Sequence, residues 1–126
     1  GGKAEGLARK WYKNGQKKFE GKYVDDEYDG LITEWHSNGQ MKTTGYFQNG
    51  QEEGPFTEWY KNGQRKKTET YKAGQPEGLG IEWYEGGQRK SEIIWKEDGS
   101  PGSTRAWCPD GKEVNPNRAL FLSCPR

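Results

Sequence analysis

The six residues Trp59-Tyr60-Lys61-Asn62-Gly63-Gln64 recur along this chain at one fixed interval. Related hexapeptides begin 24 residues apart, at Trp11, Trp35, Trp83 and Trp107. A second aromatic column keeps the same interval at Tyr23, Phe47, Tyr71 and Trp95. A glycine column keeps it at Gly6, Gly30, Gly54, Gly78 and Gly102. A strict period in this range indicates one small structural unit stacked on copies of itself, an architecture that usually serves binding rather than catalysis.

The composition favours a single domain with a thin hydrophobic core made of aromatic side chains. The 126 residues leave room for one domain, and aliphatic side chains are scarce while aromatic residues make up 13%. The core must therefore be built from rings, each of which buries ~150–250 Å². The net charge of +1 argues against nucleic acid as the main partner, because phosphate binding needs a clustered basic surface. No stretch is apolar for long enough to cross a bilayer.

Turn signals divide each repeat into two strands and two connections. Asn-Gly between alternating runs is the strongest short-range hairpin signal. It occupies one place in the repeat at Asn14-Gly15, Asn38-Gly39 and Asn62-Gly63, with Gly86-Gly87 and Asp110-Gly111 as equivalents. A second, looser turn is expected at Asn49-Gly50, Ala73-Gly74 and Asp98-Gly99.

The loop size decides which side chains share a face, because a shift of one residue reverses every position. A two-residue loop would put Trp35 and Phe47 on different faces. A three-residue loop, Ser37-Asn38-Gly39, is favoured because it pairs Glu34 with Lys42. It likewise pairs Glu58 with Lys66 and Glu82 with Lys90, although Lys10 then opposes Lys18. This register predicts both aromatic columns on one face and Tyr12, His36, Tyr60 and Tyr84 on the other.

The sequence thus predicts an all-β fold, an elongated antiparallel β-meander of five stacked 24-residue hairpin repeats with a C-terminal cap. The repeat array is expected to span residues 1–112, with repeats near 6–29, 30–53, 54–77, 78–101 and 102–112. Residues 113–126 are expected to form the cap, in which Val114, Leu120, Phe121 and Leu122 shield the last strand.

Two cysteines, Cys108 and Cys124, lie near the end of the chain. As a disulfide they would close a loop worth ~3 kcal/mol and would suit an oxidising compartment. Two unrelated free thiols are the alternative. The chain begins Gly1-Gly2 and its only methionine is Met41, so we expect the natural start, with a signal or lipid-attachment segment, to lie outside this sequence.

Two columns are candidate sites. Stacked tryptophans bind sugars and cations, but here Trp11, Trp35, Trp59, Trp83, Trp107, Tyr23, Phe47, Tyr71 and Trp95 are expected to form the structural core. Tyr12, His36, Tyr60 and Tyr84 are candidate partner-binding residues, with packing under lysine and arginine stems as the alternative.

No enzyme, metal site or cofactor is expected. His36 is the only histidine, and no carboxylate or cysteine cluster lies near it at ligand spacing. The serines lack the context of a hydrolase triad.

The pattern Gly-x-x-x-Glu-Trp-Tyr-x-Asn-Gly-Gln-x-Lys, followed by an aromatic residue and a glycine-rich turn, resembles the MORN variant repeat. It is similar in particular to the proteins named YwqK-type antitoxins, over roughly residues 6 to 112. The resemblance implies a β-meander that neutralises a cognate toxin or secreted effector by binding it, in the periplasm or attached to the cell envelope. A scaffold that recognises lipid headgroups or glycans at the envelope is the alternative.

Overall fold

The computed structural model describes residues 5–115 and Cys124, and within them the fold is all-β. Thirteen strands form one antiparallel sheet. The strands are β1 (Gly6–Trp11), β2 (Lys17–Val24), β3 (Glu27–Tyr28), β4 (Gly30–Trp35), β5 (Met41–Gln48), β6 (Gln51–Glu52), β7 (Gly54–Trp59), β8 (Arg65–Lys72), β9 (Gln75–Pro76), β10 (Gly78–Trp83), β11 (Arg89–Trp95), β12 (Pro101–Trp107) and β13 (Glu113–Val114).

The sheet is an open meander in the order β1-β2-β4-β5-β7-β8-β10-β11-β12-β13, with β3, β6 and β9 paired beside β2, β5 and β8. The predicted all-β antiparallel meander with a 24-residue repeat is confirmed. Leu120, Phe121 and Leu122 of the predicted cap lie outside the described residues. The described part of the chain holds no helix long and apolar enough to span a membrane.

Each Asn-Gly loop has the predicted three-residue form. In the second repeat the His36 N–H donates to the Gln40 carbonyl at 2.8 Å, and the Gly39 N–H donates to the His36 carbonyl at 3.0 Å. Gly39 has φ 88°, the left-handed conformation that glycine adopts without steric cost. The Asn38 carboxamide oxygen accepts from the Gln40 N–H at 3.0 Å and so fixes the loop.

A β-bulge directly beyond this loop overturns the predicted cross-strand pairs. Trp35 pairs with Met41, but Glu34 pairs with Thr43, so Lys42 is an extra residue. The same extra lysine occurs at Lys18, Lys66 and Lys90. The predicted pairs Glu34–Lys42, Glu58–Lys66, Glu82–Lys90 and Lys10–Lys18 are therefore wrong, because Glu34, Glu58, Glu82 and Lys10 lie opposite Thr43, Lys67, Ser91 and Phe19.

The bulge also separates the two aromatic columns. Trp35 shares a face with Met41, Tyr46 and Leu31, whereas Phe47 lies across from Gly30 on the opposite face. The prediction that both columns share one face is wrong, since the extra residue reverses the alternation. We call the two surfaces the tryptophan face, which carries Trp11, Trp35, Trp59, Trp83 and Trp107, and the spine face, which carries Phe19, Tyr23, Tyr28, Phe47, Phe56 and Tyr71.

The second turn is tighter than predicted. Asn49 and Gly50 have φ 52° and 76° between the paired residues Gln48 and Gln51, which is a two-residue type I′ turn. Ala73-Gly74 has the same form, and so does Asp25-Asp26, which contains no glycine. At Asp98-Gly99 the chain instead repeats the wider loop, in which Lys96 N–H donates to the Ser100 carbonyl at 2.9 Å.

The sheet is one layer thick, so little of it is deeply buried. The buried apolar residues of the described chain are Phe19, Ile32, Ala106 and Cys108. The expectation of a core built from both aromatic columns is wrong at Trp11, which is 58% exposed, and most of the remaining columns is only half-buried. Side chains packed over glycines of the neighbouring strand take the place of a thick core: Ile32 fills the space above Gly21, and the Phe56 ring fills the space above Gly45.

Candidate binding surfaces

Tyr12, His36, Tyr60 and Tyr84 connect each repeat to the next. The hydroxyls of Tyr12, Tyr60 and Tyr84 each donate to the carbonyl of the next tryptophan at 2.7 Å. His36 makes the same contact through Nε2, 2.8 Å from the Trp59 carbonyl oxygen. These side chains are half-buried, and Lys18, Lys66 and Lys90 lie 5.5–5.7 Å above the tyrosine rings. The three hydroxyls and the His36 Nε2 are thus already used within the sheet, and the role of these residues toward a partner stays a prediction.

A second ladder runs along the Asn-Gly loops and stops at the fourth repeat. Asn14, Asn38 and Asn62 donate through their carboxamide nitrogens to carbonyls of the following loop at 2.7–2.8 Å. Gly86 has no side chain to continue this series. Cys108 takes the tyrosine position in the fifth repeat, is fully buried and is disulfide-bonded to Cys124. The disulfide therefore ties Cys124 to the fifth repeat, which the asparagine ladder does not reach.

The tryptophan face carries three parallel rows. The tryptophans form the row nearest the Asn-Gly loops, and cations cover several of them. Lys17 lies 5.2 Å above Trp35, Arg65 4.6 Å above Trp83, and Arg105 5.0 Å above Trp107. The middle row is a ladder of directly paired threonines, Thr33, Thr44, Thr57 and Thr68. Leu7, Leu31, Pro55 and Leu79 form the third row.

Exposed apolar area is concentrated on this one face. The exposed large apolar residues among the described residues range from 38% exposed at Val24 to 63% at Leu31. By the strand register all of them belong to the tryptophan face, and they are Leu7, Trp11, Val24, Leu31, Met41, Tyr46, Leu79 and Ile94. Between Trp35 and Trp59, next to Met41, lies an open groove of about 410 Å³. The sheet thus presents an apolar surface with shallow recesses.

The spine face is sealed by ring contacts over the first three repeats. Phe19, Tyr23, Tyr28, Phe47, Phe56 and Tyr71 form a continuous chain with neighbouring centroids 5.0–5.8 Å apart. Burial, with Tyr23 next to it, raises the pKa of Tyr28 to about 12. This geometry is favourable for ring pairs, and it supplies packing that aliphatic residues provide in other sheets.

The ring series ends beside a buried carboxylate, Glu69, which is only 6% exposed. Burial raises the pKa of Glu69, and the indole N–H of Trp95 and the ammonium of Lys67 offset this only in part. Glu69 Oε1 and Trp95 Nε1 are both buried without a hydrogen bond of ordinary geometry. Sequence reasoning did not single out Glu69, although its column reads Gly21, Gly45, Glu69 and Ile93 and could have marked it.

The other predicted residues are spread along the array rather than gathered into one pocket. The two aromatic columns lie on opposite faces, and Tyr12, His36, Tyr60 and Tyr84 follow one another from repeat to repeat. Residues 5–115 and Cys124 contain no group of three histidine, cysteine or acidic side chains placed to hold a metal ion. What this arrangement offers is extended surface.

The sequence profile of the MORN repeat variant matches residues 4–25, 28–49, 52–73 and 76–97, which is more than two thirds of the chain. Repeats of this kind are generally involved in protein binding or in membrane lipid binding, and their all-β fold typically serves as a scaffold. No curated protein and no solved structure matches the sequence. The four matched segments keep the 24-residue interval of the strands, and the chain belongs to the MORN repeat variant family.

Proposed function

We propose that this chain is a protein-binding antitoxin or immunity protein that neutralises a cognate toxin or effector by covering it with the tryptophan face. The observation that carries the proposal is the gathering of eight exposed large apolar side chains on that face. Soluble proteins rarely gather this many exposed large apolar side chains on one face unless that face binds another molecule. Aromatic residues and methionine are also the types enriched at protein interfaces.

The rigidity of the array supports a high-affinity role. Hydrogen bonds from Tyr12, His36, Tyr60 and Tyr84 fix each repeat against the next before any partner arrives. A preformed surface loses little conformational freedom on binding, so more of the contact energy is available as affinity. The groove between Trp35 and Trp59 would accept a protruding side chain of the toxin.

We also propose that the protein works in the periplasm or on the cell envelope. The Cys108–Cys124 disulfide supports this location, because structural disulfides persist in oxidising compartments and are rare in the cytosol. An immunity protein in this location would meet its toxin where effectors delivered from other cells arrive.

The test is binding to the product of the adjacent gene, measured by titration calorimetry together with inhibition of that product's toxicity. Leu31→Glu combined with Leu79→Glu should weaken binding at least tenfold, because it places two charges within the apolar surface. Leu31→Met combined with Leu79→Met is the matched control and should bind nearly normally. No binding to any adjacent-gene product would refute the antitoxin role, and tight binding by the glutamate variant would refute the choice of face.

One observation favours a second function, an envelope scaffold that recognises lipid headgroups or glycans. Lys17, Arg65 and Arg105 lie on indole rings of the apolar face, and such a mixture of cations and aromatic rings suits anionic headgroups. Co-sedimentation with phosphatidylglycerol vesicles and with cell-wall fragments separates the two proposals. Vesicle binding that is lost on Lys17→Glu with Arg65→Glu would favour the scaffold, and indifference to both surfaces would exclude it.

A further inference from the structure

Glu69 departs from the pattern that seals the other repeats. In the first two repeats its place is taken by Gly21 and Gly45, which receive Ile32 and Phe56 of the next repeat. At Glu69 the arrangement is reversed, since the carboxylate lies over a glycine of the next repeat. A Cβ added at Gly80 would meet Glu69 Oε2 at 2.5 Å. The Glu69 carboxylate therefore fits only because Gly80 has no side chain.

The carboxylate has an unused hydrogen-bonding position. Glu69 is 6% exposed, and its Oε1 makes no hydrogen bond of ordinary geometry, although the nearby indole N–H of Trp95 lowers the pKa of the carboxyl. Lys67 is on the same face, but within residues 5–115 no ion pair joins it to Glu69. A buried charge without an ion-paired counter-charge is costly, and such groups in natural proteins are usually met by a counter-charge, a metal or a ligand.

A groove of about 470 Å³ opens beside this carboxylate, a volume in the range of small-ligand clefts. It is lined in part by Lys67, Glu69, Glu82, Trp95 and Thr104. Arg105 and Glu92 also border the groove, but both charges are already neutralised, because Arg105 donates to Glu113 and Glu92 accepts from Arg89. The remaining charges are two carboxylates and one ammonium, so the groove carries an excess of negative charge.

The Trp95 ring adds a surface that suits a cation. Elsewhere in the described chain, cations lie 4.6–5.2 Å above Trp35, Trp83 and Trp107. None lies above Trp95 among the described residues. An indole ring and a carboxylate that line the same groove are a favourable environment for a guanidinium or an ammonium group.

We infer that this groove binds a lysine or arginine side chain of a partner molecule, with Glu69 accepting its hydrogen bonds and Trp95 packing on its charge. A cation is favoured over a neutral amide because only a cation neutralises the buried carboxylate. The site goes beyond the proposed function, since it lies on the spine face, opposite the apolar surface assigned to the toxin. Its test requires no toxin, so its failure leaves the proposed function standing.

The experiment follows the indole N–H signals in ¹H–¹⁵N NMR spectra while N-acetyl-arginine methylamide or N-acetyl-lysine methylamide is added. Trp95→Phe assigns the Trp95 signal. That signal should shift in a saturable manner, and Glu69→Gln should weaken binding at least tenfold. Glu97→Gln removes one exposed carboxylate and is the matched control, for which affinity should be unchanged. N-acetyl-glutamine methylamide tests whether the positive charge matters.

Saturable binding of the cationic probes, lost in Glu69→Gln, supports the inference. Equal binding of the glutamine probe, or cationic binding that Glu69→Gln does not weaken, overturns the assignment of a cation to this carboxylate. No shift at Trp95 with any probe overturns the site itself. Thermal melting of Glu69→Gln confirms that the variant is folded. Trp95→Leu, which removes the ring and keeps the carboxylate, should also weaken cationic binding. Its binding is followed by the backbone amide signals of Ser91 and Thr104, which line the same groove, and it provides a second variant should Glu69→Gln fail to fold.

Discussion

Replacing Gly45 with alanine should destabilise the sheet, although alanine is ordinarily the better residue in a strand. Gly45 lies in β5 and its φ is outside the left-handed region, so its backbone conformation accepts any residue. A Cβ at Gly45 would, however, lie 2.2–2.5 Å from three carbons of the Phe56 ring. Non-bonded carbons prefer a separation of about 3.5–4.0 Å, so the ring would have to move by more than an ångström.

The magnitude follows from two opposing effects. Removing glycine's flexibility stabilises by ~0.5–1 kcal/mol, while overpacking a closely fitted position costs ~1–3 kcal/mol. The net expectation is a loss of ~1–2 kcal/mol in the free energy of unfolding, measured by urea denaturation with tryptophan fluorescence. Gly21→Ala is the matched comparison in the same column. Its nearest contact is the flexible tip of Ile32 at 2.5 Å, so it should cost less than Gly45→Ala.

A double variant separates this explanation from a general intolerance of substitution. Phe56→Leu shortens the side chain above Gly45, so Gly45→Ala should cost much less in that background. Two results would refute the reasoning. One is a neutral or stabilising Gly45→Ala, and the other is a cost that Phe56→Leu leaves unchanged, because either means that the ring does not seal this position.

Three further predictions concern single contacts. Tyr60→Phe removes the 2.7 Å hydrogen bond to the Trp83 carbonyl and should lower the free energy of unfolding by ~1 kcal/mol, measured by urea denaturation. An unchanged free energy of unfolding would mean that the tyrosine ladder does not hold the repeats together. Reduction of the Cys108–Cys124 disulfide, or serine at both positions, should cost ~3 kcal/mol, and an unchanged melting temperature would contradict this. Burial raises the pKa of Glu69, so the folded sheet holds the carboxyl proton more tightly than the unfolded chain does. The stability gained from protonation of Glu69 is therefore lost as the pH rises through the pKa of the folded state. The free energy of unfolding of Glu69→Gln should therefore exceed that of the parent by ~1 kcal/mol at neutral pH, and the difference should disappear near pH ~4 in denaturation curves. No difference at neutral pH would show that the surrounding groups satisfy the carboxylate.

The repeat period, the meander and the form of the Asn-Gly loops could be predicted from the sequence, because each depends on local signals. Asn38-Gly39 requires one left-handed residue, and glycine provides it. The distribution of side chains between the faces could not be predicted. It depends on one extra residue, Lys42. The lysine column at this position is visible in the sequence, but a lysine is equally at home in a regularly paired strand and does not mark a bulge.

The candidate sites can be predicted only in part, because their contacts depend on how the strands meet and not on local sequence signals. Tyr12 and its equivalents were recognised as a column, but their hydrogen bonds to the next repeat depend on how strands stack. The departure at Glu69 is visible in the sequence. Its burial over Gly80 and its place beside Trp95 come from three different strands, and one sequence does not reveal that meeting.

The central claim, that the tryptophan face binds the partner protein, is tested most directly by methyl NMR of the chain saturated with its adjacent-gene partner. Leu31 and Ile32 are neighbours in β4 that lie on opposite faces, so one pair reports on both surfaces under identical conditions. The methyl signals of Leu31, Leu79 and Ile94 should shift strongly while those of Ile32 stay near their free positions. A complex in which the Leu31, Leu79 and Ile94 methyls are unchanged would contradict the claim.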